Sequence, residues 1–331
     1  MNHSLATVGL IATIGSVALA GNVAAAVLKF HHDLPEDSAQ HVAAIEFEKL
    51  VEERTGGEID VQIFPSNSLA DDVQAVQQMQ LGAIEGGIIP TAKLSNFAPA
   101  MQLPDLPFLF PTSEVAHAFL DSEIGDKLLA GLDEVGLKGV GFWESGFKQF
   151  TCNNAVTTPG DFEGRKVRVM ESPIIIEQFR ALGSTPVPIA FSETYTALQQ
   201  GVVDCQENPL VSIVKMKFHE VQKNVVISNH AYLGYAVVFS KRWFEGQDAE
   251  TQQILIGAID EVTGLQRDET AKREAGYLEI IDASPAELSD LPAESRAAFE
   301  QATRPVHEKF RDQIGPELLD ESYAKIGALK K

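Results

Sequence analysis

A small group of basic residues carries the clearest candidate chemistry in this sequence. Arg165, Lys166 and Arg168 lie in and around the segment 166–170, which we predict to be a β-strand. A planar guanidinium forms two parallel charge-assisted hydrogen bonds to a carboxylate, so an arginine here could hold an organic acid. Considered alone, three cations around one strand are more often a solvated surface than a binding site.

Metal and catalytic motifs give much weaker signals. His31, His32 and Asp33 could ligate a metal, but no matched second cluster accompanies them, so we predict no metal and no cofactor. The sequence has no Walker A loop, no G-x-S-x-G elbow and no glycines at dinucleotide-binding spacing. A binding protein is therefore favoured over an enzyme, and an organic-acid enzyme remains a distant alternative.

The bulk composition is that of a globular protein with an acidic surface. The chain has 331 residues, of which 44% are hydrophobic and 22% charged. This length exceeds one typical core and fits two α/β domains. The formal net charge of -21 argues against nucleic acid as a partner, because phosphates require clustered Lys and Arg.

The N-terminus has the pattern of a secretion signal. The mostly apolar run from Leu10 to Ala20 ends in an A-x-A pattern, and a second group of small residues lies at 24–26. The run is shorter than the ~20 apolar residues of a spanning helix. We therefore predict a signal peptide over residues 1–26 and export to the periplasm. Because no Lys or Arg precedes the run, an uncleaved membrane anchor is the alternative.

The elements that position the basic cluster alternate between strand and helix. We predict strands at 27–30, 59–64, 84–89, 138–143 and 166–170, with helices between them that begin near Ser38 and Asp71. This alternation favours two parallel-sheet α/β layers. A long helix from about Asp248 to Ile281 is expected to lie across both. Its predicted apolar stripe consists of Leu255, Ile259, Val262 and Leu265.

Several sequence blocks, in order, resemble one known family. They are Leu106-Pro107-Phe108-Leu109-Phe110, Ser145-Gly146-Phe147-Lys148-Gln149, the segments 164–170 and 190–204, Gln206-Glu207-Asn208-Pro209-Leu210 and Ser228-Asn229-His230. Together they resemble the substrate-binding proteins of TRAP transporters, the DctP family. The resemblance covers nearly the whole mature chain. It implies a two-domain, periplasmic-binding-protein-like clamshell, a membrane permease driven by an ion gradient as partner, and no catalytic step.

The resemblance also implies how the chain is divided. Domain I is expected to comprise residues 27–145 and 234–273, and domain II residues 146–233 and 274–331. Some relatives dimerise through a swapped C-terminal helix. Because the segment after Ile314 is short here, we expect a monomer.

The same resemblance assigns roles to individual residues. Arg168 stands where the family holds an arginine facing the ligand carboxylate, and Asn208 where it places a second carboxylate contact. Phe191 stands where an aromatic ring packs on the ligand. Lys148 could meet a second carboxylate, and Lys93 is a weaker candidate for that role. The simpler interpretations are a turn residue for Asn208, plain core for Phe191 and an exposed loop lysine for Lys93.

Acidic and aromatic residues complete the candidate site. Glu171 would repel a dianion unless it accepts from a hydroxyl or amine, which favours a hydroxy acid. His32 and Asp33, at the end of the first strand, are expected to reach the ligand. Tyr235 could border the cleft, although core packing is as consistent. The blocks around Lys148 resemble the C4-dicarboxylate branch, which favours malate, succinate or fumarate, with sugar acids as the alternative.

The two cysteines depart from the family pattern together. Many relatives carry a small residue at the place of Cys205 and a residue other than cysteine at the place of Cys152. Both lie near segments that build the cleft wall, in a chain predicted to be exported. We therefore predict a disulfide between Cys152 and Cys205.

Overall fold

A computed structural model describes residues 25–330, so nearly all of the predicted signal peptide, 1–26, lies outside the described residues. Within 25–330, no helix is both long enough and apolar enough to cross a membrane. The described chain is a mixture of strands and helices, as the alternation in the sequence predicts.

The described strands join into one continuous sheet. They are β1 (Ala26–His31), β2 (Ile59–Phe64), β3 (Gly86–Pro90), β4 (Leu137–Cys152), β5 (Lys166–Val169), β6 (Thr185–Pro188), β7 (Cys205–Pro209), β8 (Asn224–Ser240) and β9 (Glu287–Asp290). Their order is β2-β1-β3-β8-β4-β7-β5-β6, and β9 pairs with β8. The strands β1, β2 and β3 are parallel at one end, and β5, β6 and β7 are parallel at the other.

The prediction of two parallel-sheet layers is wrong in one respect. The strands β4 and β8 are antiparallel to each other and to their neighbours β7 and β3, and they join the two parallel ends. The sequence predicted only part of β4 and none of β8. Most of β8 is buried on both faces, so its residues show no polar–apolar alternation to mark a strand.

The long β4–β8 ladder is irregular at three points. Its register shifts between Gly139 and Gly141, between Glu144 and Gly146, and between Lys148 and Phe150. The second shift lies at the predicted domain boundary, 145/146 and 233/234. The division into domains itself stays a prediction.

The helices surround this sheet. They are α1 (Ala39–Arg54), α2 (Asp72–Leu81), α3 (Thr91–Leu94), α4 (Ser113–Leu120), α5 (Glu123–Gly131), α6 (Pro173–Ala181), α7 (Thr194–Gln199), α8 (Leu210–Lys215), α9 (Phe218–Val221), α10 (Lys241–Glu245), α11 (Ala249–Asp282), α12 (Ala293–Lys309), α13 (Arg311–Ile314) and α14 (Pro316–Leu329). Short 3-10 segments lie at 99–105, 132–135, 159–162 and 191–193.

Local signals set the ends of the first helices. The Ser38 side chain caps α1 by accepting from the amide of His41, and the Asp71 side chain caps α2 by accepting from the amide of Gln74. Gly82 ends α2 in the left-handed region at φ 74°, which glycine adopts without steric cost. The predicted helix starts near Ser38 and Asp71 are confirmed.

The predicted long helix is α11, and it contacts α1, α8 and β4. Leu255, Ile259 and Val262 are buried as predicted, but the prediction for Leu265 is wrong, since 36% of its surface is exposed. Gln266 takes the buried position instead because its amide bonds to the main chain of β4.

The C-terminal helices divide between the two ends of the sheet. The helix α12 packs on α6, whereas α14 packs on α4 and α5. The predicted division placed 274–331 in domain II, but α4 and α5 belong to predicted domain I. The C-terminal segment therefore bridges the two predicted domains.

The predicted disulfide is present. Cys152 and Cys205 are directly opposite each other in the β4–β7 pairing, and their sulfur atoms are 2.04 Å apart. Both residues are buried, and the bond closes a sequence separation of 53 residues. It ties together the two strands that carry Lys148 and Asn208.

Candidate functional site

Several predicted site residues lie at or just beyond the carboxyl ends of parallel strands. Asp33 follows β1, Lys93 follows β3, Arg168 is in β5 and Asn208 is near the end of β7. Ligands of open α/β sheets bind at such strand ends. The topology thus gathers residues that are up to 175 positions apart in the sequence.

Arg168 is completely buried and only partly satisfied. Its Nε and one terminal nitrogen donate to the carbonyl oxygen of Ile189 at 2.9 and 2.7 Å. The other terminal nitrogen has no hydrogen-bond partner among residues 25–330. Burial lowers the pKa of Arg168 to about 10, although nearby acids such as Glu171 and Glu207 oppose the shift. At neutral pH the guanidinium is therefore charged, held in orientation, and left with one free donor group.

Asp33 offers an acceptor in the same region. The Tyr235 hydroxyl donates to its Oδ2 at 3.2 Å, while its Oδ1 has no partner within the described chain. Burial and the neighbouring Asp72 raise the pKa of Asp33 to about 8, and Lys93 opposes them. Burial therefore favours the neutral carboxyl, which leaves Oδ1 as an acceptor.

Lys93 is buried, so the simpler interpretation of an exposed loop lysine is wrong. Its Nζ donates to Asp72 Oδ2 at 2.7 Å and lies 3.7 Å from Glu171 Oε2. His31 Nε2 is 3.2 Å from Asp72 Oδ1. Burial alone would raise the pKa of Asp72, but Lys93 and His31 lower it below its ordinary value. Asp72 could not be identified from the sequence, because an acid in the first turn of a helix usually reflects only the helix dipole.

Glu171 is less tightly held than Lys93. Its Oε2 has an ion-pair distance to Lys93 but no hydrogen bond within residues 25–330. Its carbonyl oxygen accepts from Asn96 Nδ2 at 2.5 Å. Asn96 and Lys93 follow β3, and Glu171 follows β5, so these contacts connect the two ends of the sheet. A buried acceptor oxygen of Glu171 thus lies beside Lys93, and the charge of Glu171 acts on Arg168.

Lys148 is surrounded by acids that the sequence analysis did not assign. Its Nζ lies 3.1 Å from Glu207 Oε1 and 3.5 Å from Asp105 Oδ1, and all three side chains are buried. Burial alone would raise the pKa of Glu207, but Lys148 and His230 lower it to about 2. Burial raises the pKa of Asp105 to about 6 against the effect of Lys148. The charge of Lys148 is therefore already matched by carboxylates.

A bulge in β8 delivers His230 to this acid–base group. The Gln149 side chain accepts from the amides of Ser228 and Asn229 at 2.8 and 2.9 Å, replacing the ladder where the register shifts. His230 Nε2 then lies 2.8 Å from Glu207 Oε2. The Ser228-Asn229-His230 block is thus structural support for Lys148 and Glu207.

Asn208 and Phe191 differ in how well their positions fit the predicted roles. Asn208 is on β7, not in a turn, and its Nδ2 donates to Gln206 Oε1 at 2.6 Å. Gln206 is the residue opposite Arg168 in the pairing of β7 with β5. Phe191 is 5% exposed and packs edge-on against Phe218, with ring centroids 6.2 Å apart. That packing is what plain core would show, so its ligand contact stays a prediction.

His32 contacts another histidine. Its Nε2 lies 3.0 Å from His41 Nδ1 on α1, and burial together with His41 lowers the pKa of His32 to about 3. In residues 25–330, no group of three or more His, Cys, Asp or Glu side chains is arranged to hold a metal. The structure therefore links Arg168, Asp33, Tyr235, Lys93 and Glu171, and leaves His32 and Phe191 at the margin.

Known proteins that are similar to this chain are solute-binding proteins. Residues 30–313 match the family model DctP, described as bacterial extracellular solute-binding protein, family 7. The chain is 35% identical over 322 residues, 95% of each protein, to the C4-dicarboxylate-binding periplasmic protein DctP of Rhodobacter capsulatus.

Solved structures agree with this sequence relationship. A TRAP periplasmic solute-binding protein from Shewanella oneidensis with bound succinate has a TM-score of 0.88 and 32% identity, and the match covers 92% of this chain and 100% of that one. The sugar acid binding protein DctPAm from Advenella mimigardefordensis, in complex with galactonate, has a TM-score of 0.89 and 29% identity, with 92% and 98% covered. These relatives are solute-binding proteins rather than enzymes, and the α/β fold is their two-domain clamshell. The chain belongs to the DctP family of bacterial extracellular solute-binding proteins.

Proposed function

We propose that this protein captures a small organic acid anion in the cleft between its two domains, in the periplasm, for a TRAP-type membrane permease. The observation that supports this most is the free terminal nitrogen of Arg168, a charged donor in a fully buried side chain. A buried charged donor left without a partner is costly. A ligand carboxylate would satisfy it, with Asn208 supplying the second bond.

We propose a hydroxylated acid, such as a sugar acid, as the ligand. Besides the donor on Arg168, two buried acceptors, Asp33 Oδ1 and Glu171 Oε2, have no hydrogen bond within residues 25–330. The nearby cations Lys93 and Lys148 already face carboxylates. One carboxylate and hydroxyl donors complement this set better than two carboxylates. The galactonate-binding relative supports the proposal.

A C4-dicarboxylate is the second candidate. The relative from Rhodobacter capsulatus is named for C4-dicarboxylates, and the structure from Shewanella oneidensis holds succinate. A second carboxylate would have to draw Lys148 away from Glu207 or Asp105. Phe191 would then pack on the carbon skeleton of the ligand.

A thermal-shift and calorimetry panel separates the two candidates. The mature protein, unfolded and refolded to remove any co-purified ligand, is tested with succinate, L-malate, fumarate, D-galactonate and D-galacturonate. A ligand that binds only the folded state raises the melting temperature. We expect the largest shift from a hydroxylated acid. A larger shift from succinate would replace our first candidate with the second, and no shift from any acid would refute the carboxylate site.

A pair of variants tests the acceptor role directly. Asp33→Asn removes one acceptor oxygen and should weaken a hydroxylated acid about threefold to tenfold more than succinate, since a lost hydrogen bond to a neutral carboxyl is worth about 0.5–1.5 kcal/mol. The control is Asp126→Asn, an exposed acid on α5. Equal losses for both ligands in Asp33→Asn would contradict hydroxyl recognition.

The remaining assignments are proposals that follow from this function. We propose that domain I comprises 27–145 and 234–273, that domain II comprises 146–233 and 274–331, and that residues 1–26 direct export. We also propose that the protein acts as a monomer. Size-exclusion chromatography with light scattering tests the last point, and a dimer mass would contradict it.

A further inference from the structure

The long strands β4 and β8, which join the two ends of the sheet, share an irregular point in their pairing. The β4–β8 register shifts between Glu144 and Gly146, whose partners are Gly234 and Leu233. Gly146 has φ 90°, a conformation that L residues rarely adopt, and a Cβ there would lie 3.0 Å from Glu274 Oε1. A bulge flanked by glycine on each strand bends more easily than a regular ladder.

The residue just before this bulge is clamped by a side chain of α11. The amide of Glu144 donates to Gln266 Oε1 at 3.0 Å, and Gln266 Nε2 donates to the Glu144 carbonyl oxygen at 2.8 Å. The amide side chain thus makes the pair of bonds that a neighbouring strand would make. It does so at a stretch of β4 that β7 does not reach, because β7 pairs only with 148–152.

Glu144 is also held from three other elements. Gln40 on α1 donates to its carbonyl oxygen at 2.5 Å. The Tyr232 hydroxyl on β8 donates to its Oε2 at 2.6 Å, and His117 Nε2 on α4 lies 3.0 Å from its Oε1. Glu144 is therefore fixed on every side, whereas the glycine bulge begins two residues later.

We propose that Gln266 is a positioning residue for closure of the clamshell. By pinning the main chain of Glu144 to α11, it confines bending to Ser145-Gly146 on β4 and Leu233-Gly234 on β8. Because Gln266 is buried, losing its amide removes the partner of the Glu144 N–H and leaves the Glu144 C=O with only the bond from Gln40 among the contacts described above. The bend then spreads along β4, and the two ends of the sheet no longer meet in one arrangement.

The contact between Gln266 and Glu144 would help to fix the geometry of the cleft. Lys93 and Asn96 meet Glu171 from the opposite end of the sheet at 3.7 and 2.5 Å. Contacts of this length form only if the two ends return to the same relative position each time. This inference does not depend on which acid the protein binds.

Double electron–electron resonance tests the proposal by measuring the distance between two spin labels on the ligand-free mature protein. Spin labels replace the exposed Gln77 on α2 and Arg180 on α6, one toward each end of the sheet. The variant is Gln266→Met, which keeps the length of the side chain without its amide. The matched control is Gln252→Met in the same helix, whose amide bonds only to the Gln247 carbonyl oxygen. We expect the distance distribution to become at least twice as wide in Gln266→Met and to stay unchanged in the control.

A purely structural role would lower the melting temperature of Gln266→Met without widening the distribution, and that result would overturn the proposal. Should Gln266→Met not fold, hydrogen exchange of the parent protein decides. The proposal expects the Glu144 amide to be as protected as the amide of Phe142, within β4, both with and without D-galactonate. Exchange of the Glu144 amide as fast as that of an exposed residue would equally overturn it.

Discussion

Replacing Arg168 by lysine tests the proposed carboxylate site most directly. The guanidinium uses two nitrogens on one carbonyl oxygen, Ile189 O, and keeps a third nitrogen free. A lysine ammonium is a single point of charge and cannot hold this carbonyl while offering a planar fork to a carboxylate. Arg168→Lys therefore preserves the charge and removes the geometry.

The magnitude follows from the bonds that are lost. A hydrogen bond to a charged group contributes about 1.5–3 kcal/mol, and each ~1.4 kcal/mol is a factor of ten in affinity. Loss of one such bond should raise Kd about tenfold to a hundredfold. Arg168→Ala should raise Kd further, because it also removes the positive charge that hydrogen-bonds to the carbonyl of Ile189 and that partly compensates Glu171.

Isothermal titration calorimetry with the acid that gives the largest thermal shift measures the effect. The control is Lys166→Ala, an exposed cation on the same strand, which should change Kd less than about twofold because exposed charges contribute little. Circular dichroism and the melting temperature establish that each variant is folded. A folded Arg168→Lys variant that binds within about threefold of the parent would refute Arg168 as the anchor.

Three further predictions concern stability and association. Replacing Cys152 and Cys205 by serine should lower the free energy of unfolding by about 4 kcal/mol in the chain-entropy model for a separation of 53 residues, measured by urea denaturation; a loss under ~1 kcal/mol would contradict it. Because the pKa of Asp33 is raised to about 8, folding takes up a proton there, so its contribution to stability is full below about pH 4 and is lost as pH rises through about 8. Asp33→Asn should remove that part of the pH dependence of the melting temperature, and an unchanged profile would argue against the shift. Because the net charge is -21, association of an anionic ligand should speed up as ionic strength rises from about 0.01 to about 0.15 M, which stopped-flow fluorescence can measure; slower association would indicate that local cations dominate.

Much of the local structure could be predicted because its causes are close together in the sequence. The strand β2 occupies 59–64 as expected, and caps at Ser38 and Asp71 begin α1 and α2. The family blocks placed the arginine on a strand and identified Asn208 beside it. Length and the family resemblance predicted two domains, and the cysteine pattern predicted the disulfide that the structure contains.

The connection between the two ends of the sheet could not be predicted in the same way. The strand β8 lacks alternation because neighbours cover both of its faces. The buried position of Gln266 could not be predicted, since a buried glutamine in a helix is unusual unless a distant main chain pairs with it. That pairing, with Glu144, spans 122 residues.

Because the fit of a guanidinium to a carboxylate is a property of one residue type, the sequence and its family blocks were enough to propose Arg168 as the anchor. Its availability was decided only by the tertiary structure. Ile189 occupies two nitrogens of Arg168 and leaves one free, while Glu207 and Asp105 neutralise Lys148. Charges compensate each other over a few ångströms in space, and no spacing along the chain states which distant acid will approach which cation.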